Sequence, residues 1–158
     1  MPLSREMQRL RAEHAALVTL SRIILDMTKA ASPPQANDLA AARGALREAL
    51  VRHLKCEDWI LYPRLMATGD TELMRITREF ELEMGSLSAD FVAYDDAWTG
   101  ARVAADWAGF RRETRAIFDL LATRIEREER DLYPLAENLY ATAAAVGPSV
   151  RAGSTISS

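Results

Sequence analysis

Apolar side chains recur at steps of three or four residues along four stretches of the chain, and this spacing places them on one face of an α-helix. The first stretch runs from about residue 4 to residue 29, and its apolar face also carries His14. The apolar positions of the four stretches are Met7, Leu10, Leu17 and Ile24, then Leu39, Leu46, Leu50 and Leu61, then Leu73, Phe80, Leu87 and Phe91, and finally Phe110, Ile117, Leu121 and Leu132. The pattern predicts four helices of about 25 residues each.

Helix-breaking and capping residues separate the four stretches. Ser32-Pro33-Pro34 cannot continue a helix, and Asn37 or Asp38 is expected to cap the second one. Gly69-Asp70 marks the next boundary, and Thr99-Gly100 marks a turn before the fourth helix. Long helices joined by short polar connections favour an all-α fold, an antiparallel up-down-up-down four-helix bundle.

The composition indicates a single soluble globular domain. The chain has 158 residues, 49% hydrophobic and 27% charged, which is enough to bury a core and too apolar for a disordered protein. Its net charge of -3 gives no electrostatic reason to expect a nucleic acid or an anionic membrane as a partner. We expect the bundle to span residues 1–146 and the Gly-, Ser- and Thr-containing tail, residues 147–158, to be disordered.

The sequence predicts a cytoplasmic location. No apolar run approaches the roughly 20 residues that cross a bilayer, and no apolar signal segment follows the N-terminus. Cys56 is the single cysteine, so no internal disulfide can form. A small packed side chain is the simpler interpretation of Cys56 than a redox sensor, because no second cysteine can resolve its oxidised form.

The second and fourth predicted helices contain related segments. Residues 50–63 align without a gap with residues 121–134, and both segments end in Leu-Tyr-Pro. In a similar way residues 13–17 of the first helix parallel residues 80–84 of the third. The chain therefore reads as a duplicated helical hairpin, which predicts a bundle with pseudo-twofold symmetry.

The two histidines of the protein both fall on predicted core-facing positions. His53 and Glu57 are four residues apart, so an imidazole and a carboxylate share one helix face at a spacing suited to one cation. His14 lies at the middle of an antiparallel helix, where it can meet His53. Each histidine alone is more simply interpreted as a hydrogen-bonded core residue, and their coincidence is what favours a metal site.

These residues resemble the hemerythrin-like (HHE cation-binding) four-helix bundles, from about Leu10 to Leu139. The most specific element is His-x-x-x-Glu followed by Leu-Tyr-Pro. The family holds two non-haem irons in the bundle core, with histidines from all four helices and two bridging carboxylates. The resemblance implies that His14 and His53 are ligands from the first two helices, and that Glu57 and Glu128 are the bridging carboxylates.

The second half of the chain departs from this pattern. Glu81 occupies the position aligned with the third-helix histidine, and Arg124 occupies that of the fourth-helix histidine. Glu81 can still be a ligand, whereas a guanidinium stays protonated and repels a cation. One hypothesis is that Arg124 points inward, takes the place of the second iron and pairs with Glu81, Glu57 or Glu128. The alternative is that Arg124 extends to solvent and pairs within the charged run at residues 126–130.

Two classes of function follow from this resemblance. In the first, the protein binds a single non-haem metal ion, with iron expected and manganese or zinc as alternatives, and has a sensing, storage or stress-response role involving dioxygen or nitric oxide. A lone metal cannot supply the two electrons of a reversible two-iron dioxygen carrier. In the second, the bundle binds no metal and serves as a regulatory module, with a protein partner or a second copy of itself. An enzyme is less expected than either, because the sequence indicates no substrate pocket.

Overall fold

The computed structural model describes the backbone of residues 2–145, and every regular element in that range is helical. The helices are α1 (Pro2–Met27), α2 (Ala36–Cys56), α3 (Tyr62–Met66), α4 (Thr71–Met84), α5 (Leu87–Ala97), α6 (Gly100–Ala105), α7 (Trp107–Arg127) and α8 (Tyr133–Ala145). Two five-residue π-helical turns, Glu57–Leu61 and Glu128–Leu132, join α2 to α3 and α7 to α8. The predicted all-α fold is confirmed, with four arms: α1, α2–α3, α4–α5 and α7–α8.

The directions of the four arms follow from three clusters of buried apolar side chains. One end of the bundle gathers Met7, Leu65, Leu73 and Ala136. The opposite end gathers Leu39, Trp98 and Trp107, with Met27 packed against them. A middle cluster contains Leu17, Leu50, Phe91 and Leu121. Successive arms therefore run in opposite directions, which is the up-down-up-down order that the sequence predicts.

Some element boundaries differ from those expected. Asn37 and Asp38 lie inside the first turn of α2, whose N-cap position is Gln35. Asp70 does cap α4, because its carboxylate accepts a hydrogen bond from the backbone N–H three residues further on, at 2.8 Å. The third arm, expected as one helix, is divided into α4 and α5 at residues 85–86.

The two π turns begin at matching positions of the sequence repeat, Glu57 and Glu128. In each turn the backbone N–H of the tyrosine donates to the carbonyl five residues back, from Tyr62 to Glu57 and from Tyr133 to Glu128. A proline follows each tyrosine; it has no N–H, and its ring would clash with the carbonyl four residues back in a regular α-helix. The wider π turn relieves that clash. It also brings side chains five residues apart onto the same face of the helix.

No helix in the described range is long and apolar enough to cross a membrane. The expected disordered tail, residues 147–158, lies outside the described residues, as do Met1 and Val146 at the ends of the expected domain.

Candidate metal centre

Four buried side chains with metal-ligating atoms meet in the bundle core: His14, His53, Glu57 and Glu128. Each is at most 2% exposed, and one ligand atom from each lies within 4.8 Å of the others. Nε2 of His14 is 3.4 Å from Oε1 of Glu128 and 3.9 Å from Oε2 of Glu57. Nε2 of His53 is 3.1 Å from Oε1 of Glu57. Ligand atoms about 2.0–2.2 Å from one ion are separated by similar distances.

Carboxylates outside this group orient both imidazoles. Nδ1 of His14 lies 3.0 Å from Oε1 of Glu129, and Nδ1 of His53 lies 2.9 Å from Oε2 of Glu13. A carboxylate accepts from Nδ1–H, so each ring turns its Nε2 lone pair toward the core. Histidine ligands in metal centres are held in this way by a hydrogen bond from the second ring nitrogen.

The tyrosines of the two Leu-Tyr-Pro segments bind the carboxylates in a crossed arrangement. Tyr62 donates a hydrogen bond to Glu128, and Tyr133 donates one to Glu57 at 2.5 Å. The hydroxyl of Tyr133 also lies 3.1 Å from Nε2 of His14. Each half of the sequence repeat thus supplies the tyrosine that holds the carboxylate of the other half.

Arg124 points into the core, with 1% of its surface exposed, and it does not extend to solvent. Its Nη2 lies 2.8 Å from Oδ1 of Asp58 and 3.5 Å from Oε1 of Glu57. Its Nε lies 3.7 Å from Oε2 of Glu128, and its Nη1 donates to the carbonyl oxygen of Met84 at 3.1 Å. The guanidinium therefore lies beside both core carboxylates, and it shares Oε1 of Glu57 with Nε2 of His53.

The pKa values of the four core groups are shifted in different directions. Burial, followed by repulsion from Glu57, raises the pKa of Glu128 well above its usual range. Burial also opposes ionisation of Glu57, but His53, Glu128 and Arg124 outweigh it and lower the pKa of Glu57. Burial lowers the pKa of His14, whereas at His53 the nearby carboxylates of Glu57 and Glu13 outweigh the effect of burial and raise its pKa. The two carboxylates therefore titrate as a pair, in which ionisation of Glu57 is favoured over ionisation of Glu128.

Two ligand atoms of this group lack a hydrogen-bond partner. Nε2 of His53 and Oε1 of Glu128 are buried and unsatisfied. Nε2 of His53 is close to Glu57, but the two atoms are not aligned for a hydrogen bond. Because buried polar atoms without partners are costly, atoms with lone pairs converging on one point fit a bound cation.

Comparison with known families agrees with this geometry. The model of the hemerythrin HHE cation-binding domain matches residues 6–136, most of the chain. The chain belongs to the hemerythrin HHE family. No curated protein and no solved structure gives a significant match.

The position of Glu81 contradicts the prediction that it takes the place of the third-helix histidine in the core. Its side chain is exposed and contacts neither Arg124 nor the core carboxylates, whereas Phe80 is buried. A shift of 70 residues superposes the burial pattern of α1 on that of the third arm, matching Leu10 with Phe80 and Leu17 with Leu87. The same shift matches His14 with Met84, not with Glu81. The second hemerythrin half-site therefore has Met84 and Arg124 where histidines are expected.

Several residues of the centre were not singled out from the sequence. Glu13, Glu129 and Asp58 each adjoin a predicted ligand in sequence, which was the available signal for them. Tyr62 and Tyr133 belong to the repeated Leu-Tyr-Pro segments, but ordinary packing at a helix end explained them equally well. Their role depends on the π turns, which the helical spacing does not reveal.

Proposed function

We propose that this hemerythrin HHE bundle binds one divalent cation through His14, His53, Glu57 and Glu128. The observation that carries the proposal is the convergence of four buried ligand groups that include two atoms without hydrogen-bond partners. The two imidazoles are already fixed with Nε2 directed inward.

Charge balance supports one ion in place of two. With both core carboxylates ionised, one divalent cation neutralises Glu57 and Glu128, while Arg124 and Asp58 neutralise each other across 2.8 Å. A second divalent cation near Arg124 would add two uncompensated positive charges in a buried site. Arg124 thus acts as a fixed charge in the place of the second metal.

We propose iron as the ion, on the family relationship and the ligand chemistry. Two imidazoles and two carboxylates suit Fe(II), and they also suit Mn(II) and Zn(II). Iron supplies a one-electron redox centre, which is consistent with a sensing, storage or stress-response role and with dioxygen or nitric oxide as a ligand. One iron provides a single electron, so the proposed function is not that of a two-iron dioxygen carrier.

This chain's own residues prepare the site in two ways. Glu13 and Glu129 orient the imidazoles, and Tyr62 and Tyr133 position the carboxylates. The raised pKa of Glu128 favours its protonated form, and that proton must leave when its oxygen becomes a ligand.

A metal-free bundle is the second candidate, and one observation favours it. Arg124 and the two tyrosines already satisfy most oxygens of Glu57 and Glu128 without an added ion. In that case the same cluster serves as a polar core and the bundle acts as a regulatory or interaction module.

Metal counting on protein purified without a histidine tag distinguishes the two candidates. Anaerobic reconstitution with Fe(II), Mn(II) or Zn(II) should give one ion per chain. Glu57→Gln should lose that ion, while the matched control Glu81→Gln, an exposed glutamate outside the cluster, should retain it. Two irons per chain would contradict the single-ion site, and no retained metal would leave the metal-free module.

A further inference from the structure

The buried guanidinium of Arg124 has one N–H group without an acceptor among the residues that the structure describes. Its Nη2 binds Asp58 and Glu57, and its Nη1 donates to the carbonyl oxygen of Met84. Its Nε is buried and has no hydrogen-bond partner, since Oε2 of Glu128, at 3.7 Å, lies beyond hydrogen-bond distance. A buried donor on a charged group is costly to leave unpaired, so this N–H requires an acceptor.

The unpaired Nε–H of Arg124 differs in kind from the other two unpaired atoms of the cluster. Nε2 of His53 and Oε1 of Glu128 are acceptors, and a cation held between them satisfies both. The Nε–H group carries positive charge, so it cannot turn toward that cation and requires an atom with a lone pair. The described part of the protein supplies no such atom. The remaining acceptors are a water molecule and a small anion, and charge distinguishes the two.

Two groups that bind Arg124 border an open groove on the surface of the bundle. The groove runs between α2 and α5, and Asp58 and Gly85 are among the residues that line it. Arg124 binds Asp58 directly, and it binds the carbonyl oxygen of Met84, the residue before Gly85. The side chain of Asp58 is 20% exposed, whereas that of Arg124 is buried. A small ligand in this end of the groove is therefore separated from the guanidinium by Asp58 and the backbone at Met84.

The charge of the bound metal decides which acceptor the site favours. With a divalent ion the buried charges cancel, because the ion balances Glu57 and Glu128 while Arg124 balances Asp58. A trivalent ion leaves one positive charge in a buried site, and such a charge is costly without a counter-ion. The carboxylates behind the two imidazoles are 32% and 39% exposed, so solvent screens them. One monovalent anion restores neutrality, and a water molecule does not.

We propose that Arg124 recognises a small monovalent anion at the metal centre, by donating its unpaired Nε–H to the anion when the bound metal is trivalent. This inference rests on the proposed metal binding, since three carboxylates surround the guanidinium in the metal-free protein and repel an anion. Arg124 is then more than a fixed charge, because it supplies a directed donor as well as attraction. Azide, a linear monovalent anion with lone pairs at both ends, is a suitable probe.

Azide titration of the Fe(III) protein tests the proposal once its iron has been counted. The protein is loaded anaerobically with Fe(II) and oxidised with ferricyanide, the oxidant is removed, and charge-transfer absorption is followed as azide is added. Arg124→Lys keeps the positive charge but loses the Nε–H and the planar fork, so the dissociation constant of azide should rise at least about tenfold. Arg127→Lys is the matched control and should leave that constant unchanged, because Arg127 pairs with Glu83 at the surface of the same helix.

Asp58→Asn should change azide binding in the opposite direction. The substitution removes the negative charge that balances Arg124 and keeps the same number of side-chain heavy atoms. The site then has one more uncompensated positive charge, so the dissociation constant of azide should fall by at least about tenfold. If Arg124→Lys fails to fold or to hold iron, this titration decides, and an unchanged azide affinity in Asp58→Asn would overturn the proposal.

The iron count separates failure of this inference from failure of the proposed function. A parent protein that holds one iron and takes up no azide would overturn the inference and leave the single-ion site in place. Equal azide affinity in the parent, Arg124→Lys and Arg127→Lys would show that the metal alone binds the anion, and would overturn it as well. A parent protein that retains no iron would overturn both.

Discussion

The hydroxyl of Tyr133 donates a hydrogen bond to Oε2 of Glu57 across the centre of the bundle, over 2.5 Å. Tyr62 makes the equivalent bond to Glu128. The lowered pKa of Glu57 makes it the charged acceptor of the two, and hydrogen bonds to charged groups contribute about 1.5–3 kcal/mol, against about 0.5–1.5 kcal/mol for neutral pairs. The crossed pair therefore ties the second and fourth arms together at the level of the candidate metal centre.

Removing the hydroxyl of Tyr133 should destabilise the metal-free protein. Tyr133→Phe leaves one oxygen of Glu57 without its donor, and we expect a loss of about 1.5–3 kcal/mol in the free energy of unfolding by urea. Tyr94→Phe is the matched control, because Tyr94 is hydrogen-bonded to the neutral hydroxyl of Thr114. Its expected loss is smaller, and an equal effect of the two changes would contradict the charged character of the Tyr133 bond.

Arg124→Ala should be among the most destabilising single changes in the bundle. It removes the cation from between Glu57, Glu128 and Asp58, and breaking such a buried pair costs about 3–5 kcal/mol. Arg115→Ala, at an exposed position of the same helix, should stay within about 0.5 kcal/mol of the parent. The midpoints of thermal unfolding of the two variants test this prediction. Equal midpoints would mean that the guanidinium of Arg124 has no electrostatic role.

Glu129→Gln should weaken metal binding without removing a ligand. The change weakens the acceptor that orients the ring of His14, and such orienting residues contribute about 10–100-fold in metal affinity. Glu13→Gln should act in the same way through His53. Glu126→Gln, an exposed glutamate in the same charged run, serves as control in a competition titration with a metal indicator, where an equal loss would exclude an orienting role for Glu129.

Metal affinity should rise with pH. The raised pKa values of Glu128 and His53 favour the protonated forms of both groups in the metal-free protein. Both groups must lose their protons to become ligands, so affinity for Mn(II) should increase about tenfold per pH unit for each proton released. Titration calorimetry in buffers of different ionisation enthalpy counts these protons, and an affinity that does not change between pH 5.5 and pH 7.5, about the range where histidine titrates, would contradict the assignment.

Glu128 also affects the stability of the metal-free protein. Because its folded-state pKa is raised, its contribution is fully present below the unfolded pKa and is lost as pH rises through the folded value. The lowered pKa of Glu57 acts in the opposite sense, since its contribution is present above the unfolded pKa and is lost in acid. Glu128→Gln should therefore flatten the alkaline side of the stability profile measured by urea unfolding, and an unchanged alkaline side would show that Glu128 is already ionised.

Helical spacing was sufficient to predict the four arms and four of the core groups. His14, His53, Glu57 and Glu128 lie on apolar faces, where burial follows from the period of the helix alone. The role predicted for Glu81 was wrong because sequence likeness aligned the third arm with α1 at a shift of 67 residues. The burial pattern supports a shift of 70 residues, three residues away. On a helix that error turns a side chain from the core to the surface.

The contacts of Arg124 could be predicted only in part. Its inward direction followed from the need to neutralise buried carboxylates, but its closest partner, Asp58, follows Glu57 directly in sequence. In a regular α-helix two successive residues do not face the same way. The π turn that begins at Glu57 changes this local geometry, and the sequence pattern gives no measure of it.

Arg124 also separates the folding of the protein from the supply of metal. A bound ion can dissociate, be chelated or be exchanged for another, whereas a guanidinium is attached covalently and keeps its charge at any pH a cell reaches. One permanent positive charge therefore stands among Glu57, Asp58 and Glu128 as soon as the chain is made. Under the proposed function, such a bundle can remain folded when metal is scarce and still retain one site whose occupancy follows the metal supply.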